Sequence, residues 1–144
     1  MAQIFPYANV VAGILVLLVG FVFHWLGQLL SVLNWELAVS LGLQEKELIP
    51  EHRVYEHGIA VADVAIGWVY GLAGVGLILD YSWAYRLAWV PGTILIYHSF
   101  SAWGWSRNQK RGGWQLRSDA FWAAWCGVNF ITGLLTVLVA WHAA

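Results

Sequence analysis

Long apolar runs separated by short polar stretches dominate this chain. No Asp, Glu, Lys or Arg occurs from Met1 to Trp35, and residues 64 to 79 and 120 to 144 are equally free of them. A membrane-crossing helix needs about 20 predominantly apolar residues. The pattern predicts four such helices, over about 7–33, 50–79, 83–105 and 118–141. The runs are too long for barrel strands and lack their dyad alternation. The expected fold is all-α: a polytopic four-transmembrane-helix bundle, with residues 1–144 as a single integral membrane domain.

The ends of the runs carry helix signals. Pro50 suits a first helical position, and Glu51 suits the positive end of the helix dipole. Ser118 is placed to N-cap the fourth helix, with Asp119 in its first turn. Pro91 falls inside the third helix and has no N–H for the carbonyl of Leu87, which predicts a kink there. Residues 34–49 form the longest connection. Leu33, Leu37 and Leu41 recur at spacing four, with Glu36, Ser40 and Gln44 on another side. That pattern predicts a short interfacial helix or a continuation of helix one, with a loop as the alternative.

Composition strengthens the membrane reading. The chain is 60% hydrophobic and 10% charged, with mean hydropathy +0.65, against about 25% charged in soluble domains. A net charge of −1 gives no reason to expect nucleic acid as a partner; the expected partners are the lipid bilayer and a homo-oligomer or larger membrane complex. Cys126 is the one cysteine, so neither an intrachain disulfide nor a cysteine-based metal framework can form. The N-terminus has no basic n-region, so the first segment is expected to remain as a membrane helix. Of 11 tryptophans, Trp35, Trp83, Trp103, Trp105, Trp114 and Trp141 fall near predicted membrane edges, where indoles anchor. Trp68, Trp122 and Trp125 lie deeper and are expected to pack.

Basic residues predict orientation. Lys46, Arg53, Arg107, Lys110, Arg111 and Arg117 lie at one end of the bundle, and Arg86 lies at the other. The positive-inside rule then makes loops 34–49 and 106–117 cytoplasmic and puts both termini outside, in a bacterial inner membrane.

Polar residues inside the runs supply the candidate chemistry. Gly13, Gly20, His24, Gly27 and Ser31 form a stripe on helix one, with Gln28 beside it. Ala60, Asp63, Gly67, Gly71 and Gly74 form one on helix two, where small residues permit close helix approach. Helix three offers Ile94, His98, Ser101 and Trp105; helix four offers Trp122, Cys126, Asn129, Gly133 and Thr136. At 1.5 Å per residue, His24, Asp63, His98 and Asn129 fall within roughly 6 Å of one level. Intramembrane ionisable groups commonly mark ligand sites or proton pathways. These four are therefore the candidate ligand- or proton-binding residues. Glu56, His57 and Gln28 are the candidate entrance, Glu56 sharing a face with Asp63 two turns away.

Several functions fit that cluster. The expected one is a membrane protein binding a small ligand, a quinone or a proton, as a carrier or redox-chain component. A non-catalytic accessory or assembly subunit would use the same residues as a hydrogen-bond network, with Asp63 pairing His24 or His98 and Asn129 bridging helices. A b-type haem protein would use His24 and His98 as axial ligands. A metal held by Asp63, His24 and His98 is the weaker variant, because the Glu-x-x-His pattern of di-iron bundles is missing around 51–57. No G-x-S-x-G, P-loop or H-E-x-x-H motif points to an enzyme class.

Overall fold

The computed structural model describes residues 4–46, 50–114 and 117–143, the side chains of 50–52 excepted. Among the described residues every regular element is a helix. Helix α1 covers Ala8–Leu33, and its middle, Val16–Leu26, is wound as π-helix. Then follow α2 (Trp35–Ser40), α3 (Pro50–Ile78), α4 (Ser82–Leu87), α5 (Trp89–Arg111) and α6 (Asp119–Ala143). Three of them, Ala8–Leu33, the Arg53–Ile78 part of α3, and Asp119–Ala143, are long and apolar enough to cross a membrane.

The breaks have local causes. Asn34 is extended (φ −154°, ψ 88°), and its Oδ1 accepts from Leu37 N at 3.0 Å, so it ends α1 and caps α2 as a separate helix. Helix α3 starts at Pro50 as expected; the dipole contact expected of Glu51 lies outside the described side chains. The disruption expected where Pro91 withholds a donor from the Leu87 carbonyl falls at Ala88, between α4 and α5. The ladder resumes with Gly92 N donating to Ala88 O at 3.0 Å. Ser118 Oγ accepts from Phe121 N at 3.2 Å, the predicted cap. Helix α5 runs six residues past its predicted end at Trp105, to Arg111. Lys110 and Arg111 stand in its last turn, where cations favour the carbonyl end of the dipole. The connection expected over 106–117 is correspondingly short.

Two antiparallel pairs make the body. In the first, α1 seats Leu17, Phe21 and Trp25 against Gly74, Gly71 and Gly67 of α3: a Cβ on Gly67 would lie 2.6 Å from Trp25 Cδ1, and one on Gly74 2.6 Å from Leu17 Cγ. In the second, α5 and α6 meet backbone to backbone, where a Cβ on Gly133 would lie 2.6 Å from the Gly92 carbonyl. Absent side chains thus set both approaches. Ala8, Ala12, Leu77, Ala84, Ala88, Val139 and Ala140 form an apolar cluster that joins the pairs near the chain ends. Toward the end that carries the six basic residues the pairs part. No Cα of Gly27–Leu33 lies within 8 Å of one in α5 or α6 among the described residues. Arg117 ties the connections together there, donating to the Gly42 carbonyl and lying 3.8 Å from Glu45.

Two predicted placements differ. Trp68 is 50% exposed and points outward, donating to its own helix at Ala65 O (3.0 Å). It follows the buried Gly67 directly, so it faces away from α1. Ser101 is also exposed. The buried stripe of α5 runs through Leu95, Ser99, Ser106 and Gln109, leaving His98 and Trp105 at its border.

Candidate functional site

All five residues of the α1 stripe, Gly13, Gly20, His24, Gly27 and Ser31, are buried. His24 lies in the π-helical segment. Such segments open the i→i+4 ladder to i→i+5 and recur at functional sites.

Asn129 of α6 is 0% exposed and faces His24, itself 6% exposed. Its Nδ2 donates to the Trp125 carbonyl at 2.8 Å, which turns Oδ1 toward the imidazole. His24 Nε2 lies 2.6 Å from that oxygen. An amide oxygen only accepts, so this network assigns the proton to Nε2 and leaves the lone pair of the neutral ring on Nδ1. His98 of α5 stands edge-on to His24, with ring centroids 4.1 Å apart at 85°. The Trp125 indole lies 5.1 Å from His24 at 30°, and Tyr70 of α3 lies 6.3 Å away at 27°. Side chains from the other three long helices therefore surround the imidazole that α1 carries.

Asp63 belongs to a second chain of contacts. It pairs with neither histidine: Gln28 Nε2 donates to its Oδ2 at 3.3 Å. Gln28 follows His24 by four residues, about 6 Å nearer the basic end, so Asp63 meets this amide and not the imidazoles. Gln44 Nε2 then donates to Gln28 Oε1 (3.3 Å) and to Ser31 Oγ (3.0 Å). The connection after α2 is thereby drawn over the end of α1.

The entrance residues divide. Gln28 belongs to this inner chain, and Glu56 is half-buried two turns before Asp63. His57 is exposed and lines an open groove of about 270 Å³ with Trp35, Arg53 and Val54. Arg53 stacks over Trp35 at 5.4 Å and reaches Glu36 at 3.4 Å. Glu51 and His52 carry no described side chains.

The cofactor variants can be tested against this geometry. Axial haem ligands sit on opposite faces of a macrocycle that lies between them. The His24 and His98 rings are in edge-to-face contact, so no macrocycle plane fits between them as they stand. Among the described residues no three of His, Cys, Asp and Glu are grouped to hold a metal ion.

Sequence reasoning missed three participants. Trp125 and Tyr70 were legible, at four residues from Asn129 and seven from Asp63, each on the same face as its neighbour. Gln44 was visible as a polar position, but its reach back to α1 depends on the loop path. Comparisons with protein-family models, with curated proteins and with solved structures found no match, so the functional reading rests on this geometry and its chemistry.

Proposed function

We propose that the chain is a four-helix integral membrane protein that takes up a proton, with a small ligand, at the His24–His98–Asn129 cluster, as a carrier or redox-chain component. The observation that carries this reading is the 2.6 Å bond between His24 Nε2 and Asn129 Oδ1 beside a second imidazole. The bond holds one ring nitrogen as donor and leaves the other free to accept a proton. A proton taken up there would place positive charge against the Trp125 ring face, an attractive arrangement. Two like charges at the His24–His98 distance repel strongly, so the pair handles one proton at a time.

The path to the cluster starts at the basic end. Glu56, Asp63 and Gln28 form a polar line on the α1–α3 interface, ending one turn from His24. The fourth crossing is made by α4 and α5 together. They run beside α6 from the Gly92–Gly133 contact, and the 83–105 stretch carries Arg86 as its one charge. By the positive-inside rule the six basic residues favour a cytoplasmic side for the 34–49 and 106–117 stretches.

The test is proton equilibration in liposomes loaded with a pH-sensitive dye. The full chain should speed the decay of an imposed pH gradient, and His24→Gln and Asp63→Asn should each slow it without loss of helix content. A rate equal to empty liposomes, with no proton uptake by the solubilised protein, sinks the reading and favours an accessory subunit.

A further inference from the structure

Two turns below the imidazoles, toward the basic end, lies a feature that proton uptake leaves unused. Trp105 follows His98 by seven residues on α5, and Trp122 precedes Asn129 by seven on α6, so each indole shares a face with a member of the cluster. Seven residues rise about 10 Å. The two indole rings are 5.4 Å apart. Both Nε1–H groups are buried, and neither has a hydrogen-bond partner. A buried donor left unpaired is costly, so a pair of them calls for an acceptor.

There is a gap for one. Between the two layers α1 presents Gly27, which is buried although a Cβ there would meet nothing within 4 Å. The Gly27–Leu33 turns stand clear of α5 and α6. By helical level the indole donors thus stand on the basic-end side of this space and the imidazole pair on the other. A ligand for this slot is flat, apolar at its edges, soluble in the bilayer, and carries acceptor oxygens at opposite ends.

We infer that the slot between the Trp105–Trp122 pair and the His24–His98 pair binds a quinone ring, one carbonyl accepting from the indole N–H groups and the other facing the imidazoles. This rests on the proposed proton site and names its ligand class.

The test is equilibrium binding of a benzoquinone with a short isoprenoid tail to the full chain in detergent micelles. Binding should be saturable at one ring per chain. Trp105→Phe and Trp122→Phe keep the ring but lose the donor, and each should weaken binding about tenfold. Phe variants that bind as well as wild type, or wild type that does not bind, overturn the inference. Displacement of the quinone by diacylglycerol, with the same dependence on both tryptophans, overturns it in favour of a lipid carbonyl. If either variant fails to fold, the indole N–H infrared band of the native chain substitutes: quinone should shift it, and an unmoved band overturns the inference. His24→Gln should abolish proton uptake. That variant removes one wall of the ring site as well, so Asp63→Asn, on the proton path but outside the ring site, is the control: it should slow proton uptake yet keep tryptophan-dependent binding, which makes failure of the quinone and failure of the proton site distinguishable.

Discussion

Replacing Asn129 by Leu is the most informative single change in the interior. The side chains are close in size, so the packing volume is nearly kept. What disappears is the acceptor for His24 Nε2, 2.6 Å away in a site where His24 is 6% exposed. The bond from Asn129 Nδ2 to the Trp125 carbonyl also goes, but that carbonyl keeps its helical main-chain partner. The dominant loss is therefore an N–H donor stranded in an apolar interior. Stranded donors cost about 1–3 kcal/mol in proteins generally. Interhelical hydrogen bonds in membranes average about 0.6 kcal/mol and reach about 1.7. The short distance and full burial place this one in the upper part of that range, and the added apolar surface of Leu offsets a fraction. A net loss of about 1 kcal/mol follows. His24→Phe should cost a similar amount. The double variant should cost less than the sum, with a coupling of about 1 kcal/mol, because the second change removes a group already orphaned by the first. The assay is reversible unfolding in mixed micelles for wild type, both single variants and the double. Additive effects, with coupling below about 0.3 kcal/mol, would refute the hydrogen bond as the link between α1 and α6.

Other outcomes follow from the same contacts. Gly133→Ala should lower stability by about 1–3 kcal/mol, because its Cβ would meet main-chain atoms, Gly92 O at 2.6 Å and Ile96 N at 2.9 Å, that cannot rotate away. Gly104→Ala, where a Cβ meets nothing within 4 Å, should be neutral or raise the unfolding temperature through helix propensity. Gln28→Leu should destabilise the protein by about 1–3 kcal/mol by stranding Asp63, and adding Asp63→Leu should recover part of that loss in the same unfolding assay. Protein purified from haem-replete cells should show no Soret band, since the imidazoles touch at 4.1 Å. A band lost in both His24→Ala and His98→Ala would show instead that the rings separate around a macrocycle.

The candidate cluster was legible because heptad spacing survives translation into three dimensions. His24, His98 and Asn129 were placed at one level from run lengths alone, and the structure joins them. The glycine face of α3 was legible for the same reason, although its occupants, Leu17, Phe21 and Trp25, were not. The failures share a cause: each depended on main-chain register. The π-wound segment Val16–Leu26 leaves no mark on side-chain pattern. The buried face of the third segment runs through Ala84, Ala88, Gly92, Leu95 and Ser99 at helical spacing, and Ser101 falls off it. Asp63 was expected to pair with His24 or His98, but the amide of Gln28, one turn from His24, meets it instead. Arg107, Lys110 and Arg111 read as loop residues by charge, yet they suit the last turns of α5 by dipole, and Arg107 and Lys110 also pair with Asp119.

The central claim is that His24 and His98 share one exchangeable proton inside the bundle. Nitrogen-15 NMR of the imidazole rings, followed through a pH titration of the protein in lipid nanodiscs, tests it most directly. The account predicts a neutral His24 protonated at Nε2, shifted in Asn129→Leu, and uptake of a single proton by the pair while the protein stays folded. A His24 ring protonated at Nδ1 alone, or two rings that stay neutral until the bundle unfolds, would contradict it.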